Sequence, residues 1–324
     1  MSSDPAYHPA LAAARSHAPG WPQGLTALLD REDTSVELRA AAIEALTRAH
    51  PRHLLARFMD LIQDPDPRVR LATVRAASIL VPEDRVKVAG PALTDPEEEV
   101  RLAAGRVLVG AEEELPGERA PHFVTARDEW IESRRADSGG PDAWSELATL
   151  YAQLGRGDDA ERSLRRALEL DQARTGDWAN LADLYEATGR SGEAREALVT
   201  GLSHQPDSPA LIHSRGLAHI RAGEPAAALA DLARAVELAP ESPRFAYVHV
   251  VALADLEGGA DPLETLESAL ARHPRDPELL SLAVSLYEGQ GDRESALVAA
   301  RTLEESDPGN PEYQALVIQL SVGG

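Results

Sequence analysis

The sequence contains no cysteine among its 324 residues, and aromatic residues make up only 4% of it. Without cysteine the chain forms no disulfide framework, no thiol nucleophile and no cysteine-ligated metal or haem site. It also lacks an HExxH motif, a GxSxG motif and a glycine-rich phosphate loop, and its histidines do not recur at a spacing that would gather them around a metal. The sequence therefore predicts a protein without catalytic residues, metal or cofactor.

Long hydrophobic runs are missing as well. No stretch approaches the roughly 18 consecutive apolar residues of a membrane span. The N-terminal segment MSSDPAYHPALAAARSHAPG has no basic segment followed by an apolar core, which a signal peptide requires. We therefore expect no membrane insertion and, for the chain as written, a cytoplasmic protein.

Basic residues are the minority, because 32 lysines and arginines stand against 54 acidic residues, for a net charge of −22. Residues 1–111 carry a net charge of −2, and residues 112–324 carry −20. A surface of this sign repels phosphate groups, so nucleic acids and anionic membranes are poor partners. We interpret the charge first as a means of solubility, with an acidic recognition surface as the alternative.

What the sequence does contain is a repeat with a constant period in its second half. Its five copies begin at equal intervals, at Pro141, Thr175, Pro209, Pro243 and Pro277. In the first copy, apolar residues recur three, four and seven positions after Trp144, which predicts one apolar stripe on a helix. The matching Trp178 of the second copy is expected to be buried between helices. Most copies share a glycine suited to end this helix, at Gly155, Gly189, Gly223 and Gly291.

This period and its landmarks resemble the tetratricopeptide repeat, which has a period of about 34 residues. The resemblance covers residues 141–310 and is followed by PEYQALVIQLSV, which resembles the capping helix of such arrays. It implies an all-α fold, an α-solenoid of stacked helix pairs that winds as a right-handed superhelix. It also implies a concave groove, lined by the first helix of each pair, that binds an extended peptide or a helix of a partner protein.

A second repeat, with a shorter period, runs through the N-terminal part. Its landmarks are an arginine column and an aspartate column, at Arg39, Arg70 and Arg101 and at Asp33, Asp64 and Asp95. We interpret the arginines as a ladder that pairs with neighbouring aspartates, with an anion site as the alternative, and the aspartates as caps of the following helices. The pattern resembles three short HEAT repeats, of a compact kind also seen in phycobilin-lyase-like arrays. That likeness leaves open an enzyme that acts on a bilin.

The segment between the two arrays combines a hinge and a helix. EEELPGER is typical of a hinge, because charge, proline and glycine cluster there. Residues 120–137 are then predicted to form a helix, which resembles half a tetratricopeptide repeat covering the edge of the first full one. We therefore divide the chain into short HEAT-like repeats (1–111), a hinge with a capping helix (112–140), and five tetratricopeptide repeats with a C-terminal capping helix (141–324).

The third and fourth tetratricopeptide copies differ from the others on the predicted groove face. In copies one, two and five this face is small or acidic, whereas copies three and four place apolar side chains beside arginines. The predicted partner-binding residues are His213, Leu217, Ile220, Arg221, Arg244, Tyr247, Val248 and Val251. We expect them to bind a partner segment with hydrophobic and acidic groups. The alternative is that these side chains pack against neighbouring helices.

Three polar residues of the same two copies stand in columns that are apolar elsewhere in the array. Arg215 and His249 replace leucines, and His219 replaces a tyrosine. An unpaired buried charge is costly, so these residues either form polar pairs inside the array or serve something bound beside it.

The order of the segments carries one more resemblance. HEAT repeats followed by tetratricopeptide repeats are similar to the C-terminal region of certain bacterial multihaem c-type cytochromes. This implies a periplasmic docking or assembly region with a multihaem cytochrome as partner, but the chain has no CxxCH motif and the resemblance assigns it no haem. The sequence thus predicts a non-catalytic protein-interaction scaffold, with cytochrome docking and a bilin enzyme as alternatives.

Overall fold

The computed structural model describes residues 8–322 except 17, 19, 32, 48–53, 138 and 257–260. Within these residues it contains nineteen α-helices, three short 3-10 helices and no β-strand. The predicted all-α fold of a helical solenoid is therefore confirmed.

The helix bounds follow the two repeat patterns. The first eight helices are α1 (Pro9–Arg15), α2 (Trp21–Leu29), α3 (Val36–Leu46), α4 (Leu55–Leu61), α5 (Pro67–Ala76), α6 (Pro82–Ala89), α7 (Glu98–Val107) and α8 (Ala120–Ala136). The others are α9 (Pro141–Gln153), α10 (Gly157–Leu170), α11 (Thr175–Ala187), α12 (Ser191–His204), α13 (Pro209–Arg221), α14 (Pro225–Leu238), α15 (Pro243–Asp255), α16 (Pro262–Arg272), α17 (Pro277–Gln290), α18 (Arg293–Ser306) and α19 (Pro311–Val322).

Contacts divide the chain into two compact units. The first unit comprises residues 1–133 together with 293–324, and the second comprises residues 134–292. These units are defined by contacts and not by repeat type, so the division at residues 111 and 140 stays a prediction.

In the first unit, α3, α5 and α7 pack side by side, and arginines link them. Arg39 on α3 is hydrogen-bonded to Asp64. Arg70 on α5 forms a two-pronged pair with Asp95, with Nε 2.7 Å from Oδ2 and Nη2 2.8 Å from Oδ1. The predicted pairing with aspartates is confirmed for Arg39 and Arg70, and each of these two rungs ties one HEAT repeat to the next.

The ladder ends at Arg101 on α7. Its guanidinium donates to the backbone carbonyls of Asp95 and Pro96. In both earlier rungs the partner is an aspartate of the next repeat, at the same offset along the chain. At that offset from Arg101 stands Ala126, so the third arginine has no carboxylate partner at the matching position.

The expectation that the aspartate column caps the helices is wrong by two residues. The side chains that cap α3 and α5 are Ser35 and Asp66. Asp64 and Asp95 instead accept the backbone N–H two residues further on, which shapes the turn that leads into each helix. Asp33 bonds a nearby arginine.

Helix α8 packs closely on α7, and it covers most of the predicted range. A Cβ atom added at Gly105 would lie only 2.5 Å from the carbonyl carbon of Ala126. The two helix backbones therefore meet at this glycine. Phe123, Ala126 and Ile131 are the buried residues of α8.

In the second unit, α9, α11, α13, α15 and α17 begin at the five positions predicted from the tetratricopeptide period. The first four of them pack against the helix that follows each one. Gly155, Gly189, Gly223 and Gly291 have φ angles of 68°, 73°, 72° and 78°. This left-handed conformation favours glycine, so the shared glycine ends the first helix of the repeat as predicted.

The core of the second unit includes a continuous cluster of buried leucines, alanines and one tyrosine from α9 to α13, Leu181, Tyr185 and Leu198 among them. Trp178 packs against this cluster but is only half-buried, which is less than we expected from its place in the repeat. A Cβ at Gly201 would lie 2.8 Å from the Cγ of Trp178, so the glycine on α12 makes room for the indole.

Candidate functional site

The eight predicted partner-binding residues lie on α13 and α15, the first helices of the third and fourth tetratricopeptide copies. Arg221 and Arg244 are exposed. The half-buried members are Leu217, Ile220, Tyr247, Val248 and Val251. The two helices thus present two guanidinium groups together with a set of apolar side chains that are partly open to solvent.

His213 differs from the other seven, because it is only 5% exposed. Its ring centroid lies 4.8 Å from that of Phe245 on α15, and neither ring nitrogen has a hydrogen-bond partner. Burial, and then the charge of Arg244, lower the pKa of His213 to about 4. The neutral ring therefore packs between α13 and α15. For His213, the alternative that the predicted residues pack against neighbouring helices is correct.

Asp183 on α11 interacts with both arginines through its charge. Its Oδ1 lies 3.9 Å from Nη2 of Arg221, and the charge of Arg244 also acts on it. The side chain is 61% exposed, yet burial raises the pKa of Asp183. We call the set of Asp183 and the seven exposed or half-buried predicted residues the groove face.

The polar residues in the apolar columns are largely satisfied within the third repeat. Arg215 forms a two-pronged pair with Asp231 on α14, with both N–O distances at 2.7 Å. His219 has Nδ1 2.5 Å from Oε2 of Glu224 and Nε2 3.7 Å from a carboxylate oxygen of Asp231. For these two residues the interpretation as internal polar pairs is confirmed. His249 is half-buried, and burial lowers its pKa.

One feature of the second unit was not predicted from the sequence. A cavity of about 350 Å³ lies between α10, α11 and α12. Trp178 and Tyr185 line it together with three glutamates. The repeat pattern marked both aromatic residues only as packing positions, and the glutamates do not stand out among 54 acidic residues.

The part of the chain that the structure describes holds no group of three or more histidine, aspartate or glutamate side chains arranged for a metal ion. None of its described helices is both long enough and apolar enough to cross a membrane.

Family models identify both arrays. A model of HEAT repeats matches residues 22–109. Models of the tetratricopeptide repeat match residues 143–177, 179–243, 213–257 and 260–320, which together are more than half of the chain. The fold and these matches define a helical repeat protein of the class that serves as a protein-interaction scaffold. The chain belongs to the tetratricopeptide repeat proteins and carries HEAT repeats before that array.

None of the curated proteins matches the sequence. Among solved structures, PilW, a type IV pilus biogenesis factor, is 17% identical with a TM-score of 0.46, covering 67% of this chain and 98% of its own. YrrB, a TPR protein with an unusual peptide-binding site, is 20% identical with a TM-score of 0.39, covering 60% and 96%. A thermophilic TPR protein of Thermus thermophilus is 20% identical with a TM-score of 0.43, covering 56% and 99%. At this identity the likeness concerns the fold alone.

Proposed function

We propose that this chain is a protein-interaction scaffold that binds an extended or helical segment of a partner protein on the groove face. One observation carries the proposal: Arg221 and Arg244 stand beside partly exposed apolar side chains in a unit that is otherwise strongly acidic. Residues 134–292 contain 15 basic and 27 acidic residues. Two exposed arginines on the groove face are therefore a local exception to the acidic charge of this unit.

The apolar part of the groove face supports binding of a hydrophobic anchor. Tyr247 and Leu217 are half-buried, so each keeps some apolar surface in contact with water. Covering such surface stabilises a complex, and aromatic and arginine side chains contribute the largest share of binding energy in protein interfaces. A partner segment with one or two apolar side chains would fit this requirement.

The charged part of the groove face supports binding of an acidic segment. Arg221 approaches Asp183 only to 3.9 Å, and both side chains are largely exposed, at 47% and 61%. Exposed pairs of this kind contribute little, so a partner carboxylate can compete for the guanidinium. The net charge of the surrounding unit disfavours nucleic acid and any other highly charged anion on the same surface, so the partner segment places its few acidic groups at these two arginines. Docking of a multihaem cytochrome and a bilin-dependent reaction stay predictions from the sequence resemblances.

A selection of random peptides displayed on phage tests the proposal, with the full chain immobilised as bait. The enriched peptides should combine acidic residues with aromatic or branched apolar residues. Tyr247→Ser should lose these peptides, whereas Tyr287→Ser, at a half-buried tyrosine on α17 outside the groove face, should retain them. Thermal melts of both variants verify that each is folded. Enrichment of basic peptides, or equal capture by folded Tyr247→Ser, would refute the groove-face assignment.

A further inference from the structure

We propose that the cavity between α10, α11 and α12 is a receptor for the guanidinium side chain of an arginine on a partner protein. It is a second contact site, separate from the groove face, and it does not depend on that surface being used. The cavity has a volume of about 350 Å³. Pockets for small molecules run from about 300 to 1,000 Å³, so this one suits a single long side chain.

The floor of the cavity is apolar and aromatic. Leu168, Leu181 and Tyr185 form it, and each is at most 4% exposed. Trp178 stands at the wall, half-buried, with its Nε1 donating to the backbone carbonyl of Gln172 at 3.0 Å. An arginine side chain packs its methylene groups on apolar surface and stacks its planar charged end on aromatic rings. The guanidinium carbon of Arg190 already lies 4.3 Å from the centroid of the Tyr185 ring. The floor therefore supplies apolar surface for the methylene groups, and Trp178 at the wall supplies the ring on which the guanidinium stacks.

The rim of the cavity is acidic, with Glu169, Glu193 and Glu196 against the single cation Arg165. The guanidinium of Arg165 is already engaged, because Nε lies 2.9 Å from Oε1 of Glu161 and Nη2 lies 2.9 Å from the hydroxyl oxygen of Tyr185. It therefore neutralises a carboxylate outside the lining and leaves the rim negative.

Two of the rim carboxylates are available to a ligand. Glu196 has no side-chain hydrogen bond or ion pair with any residue that the structure describes. Glu169 pairs with Arg166 at 2.8 Å, but the two side chains are 63% and 51% exposed, and such pairs contribute little. Glu193 is held by Arg190. A guanidinium at the rim would thus gain carboxylate acceptors without displacing a buried pair.

The combination of tryptophan and glutamate is specific to this junction of the array. If repeat packing required it, the same positions of other repeats would carry it too. The pairs that correspond to Trp178 and Glu196 are Trp144 and Arg162 one repeat earlier, Ile212 and Ala230 one repeat later, and Ala246 and Glu264 two repeats later. Each neighbouring junction lacks either the aromatic wall or the acid, so packing alone does not explain the pair.

Titration of the full chain with N-acetylarginine methylamide tests the proposal, with the tryptophan indole N–H resonances followed by NMR. The Trp178 resonance is the one absent from a Trp178→Phe spectrum. We expect it to shift saturably with the arginine compound and not with the uncharged citrulline analogue, which has the same shape. A missing saturable shift, or an equal response to citrulline, would overturn the proposal.

Matched variants locate the charge that matters. Glu196→Gln should weaken arginine binding about threefold to tenfold, since one charge-assisted contact is lost. Glu264→Gln changes the equivalent acid two repeats later, where Ala246 replaces the tryptophan, and should leave binding unchanged. An equal loss in both variants would show that only the overall charge attracts arginine, and would overturn the site. Arg221→Glu on the groove face should not affect this titration, which separates the two proposals.

Discussion

Replacing Arg70 by methionine removes a buried rung of the HEAT ladder. The side chains of Arg70 and Asp95 are only 12% and 7% exposed. The substitution keeps an apolar side chain of similar length on α5 but leaves the carboxylate of Asp95 buried without its cation. Breaking a buried pair in this way costs about 3–5 kcal/mol of unfolding free energy. We expect a loss of this size for Arg70→Met.

The same helix offers the control. Arg68 also pairs with carboxylates, Asp66 and Glu37, but its side chain is 59% exposed. Arg68→Met should therefore cost no more than about 1 kcal/mol. The double variant Arg70→Met/Asp95→Leu should be more stable than Arg70→Met alone, because it leaves no unpaired buried charge.

The pH dependence gives a second readout of the same rung. Burial raises the pKa of Asp95, but hydrogen bonds from Arg70 and from the backbone of Glu97 outweigh it, and the pKa lies below its usual 3.8. The pKa of Asp95 is lower in the folded protein than in the unfolded chain. The ionised carboxylate therefore stabilises the fold at a pH above the unfolded-state pKa, and this stabilisation is lost as the pH falls through the folded-state pKa. In Arg70→Met the carboxyl of Asp95 protonates more easily. The difference in unfolding free energy between the wild type and Arg70→Met should therefore shrink in mild acid.

Urea denaturation followed by circular dichroism measures the free energies, and hydrogen exchange of the α5 and α7 amides assigns the loss to the HEAT repeats. Equal midpoint shifts for Arg70→Met and Arg68→Met would show that burial does not determine how much an ion pair contributes to the free energy of unfolding.

Gly105→Ala should destabilise by about 1–3 kcal/mol or more, because the new methyl would meet the Ala126 backbone at 2.5 Å. Gly24→Ala, with nothing within 4 Å, should instead raise the melting temperature, and equal shifts for the two would contradict this account. Between about pH 7.5 and 5.5 the wild type should lose about 1 kcal/mol more unfolding free energy than His213→Leu. The pKa of His213 is about 4 in the folded protein and 6.5 in the unfolded chain, so the unfolded chain takes up the proton first as the pH falls. An identical pH dependence in urea titrations would rule that out. Trp178→Ala should lower the free energy of unfolding by about 2 kcal/mol, less than the same substitution at a fully buried tryptophan. A loss above about 4 kcal/mol would show that the indole is buried.

The helical frame could be predicted because it depends on spacing along the chain. An apolar stripe that recurs at a constant period places the starts of five first helices, Pro141 and Thr175 among them. The left-handed turn after each first helix could be predicted because glycine adopts it without a steric cost. The arginine ladder was also predictable, since residues at equal register in stacked repeats lie beside one another.

The parts that could not be predicted depend on how side chains meet across helices. The position of His213 in the repeat predicts that it faces the groove, but Phe245 approaches from α15 and the two rings pack together. The cavity beside Trp178 needs three helices at a particular separation, and Gly201 sets part of that separation by admitting the indole. Sequence spacing carries no information on such distances.

The helix caps show a smaller limit of the same kind. Asp64 was predicted to cap α5, but the turn extends two residues further and Asp66 takes that role. Either aspartate satisfies the sequence rule for a cap, and only the backbone path chooses between them.

Calorimetric titration of a selected acidic and apolar peptide measures whether a partner segment binds on the groove face. Arg221 on the groove face and Arg234 on α14 are closely matched, with side chains 47% and 50% exposed. We expect Arg221→Glu to weaken binding of the peptide at least about tenfold, since an arginine at the centre of an interface contributes about 2 kcal/mol or more. Arg234→Glu, with the same change in net charge, should bind like the wild type. Equal affinity in all three proteins, or an equal loss in both variants, would contradict the claim that the partner binds on the groove face.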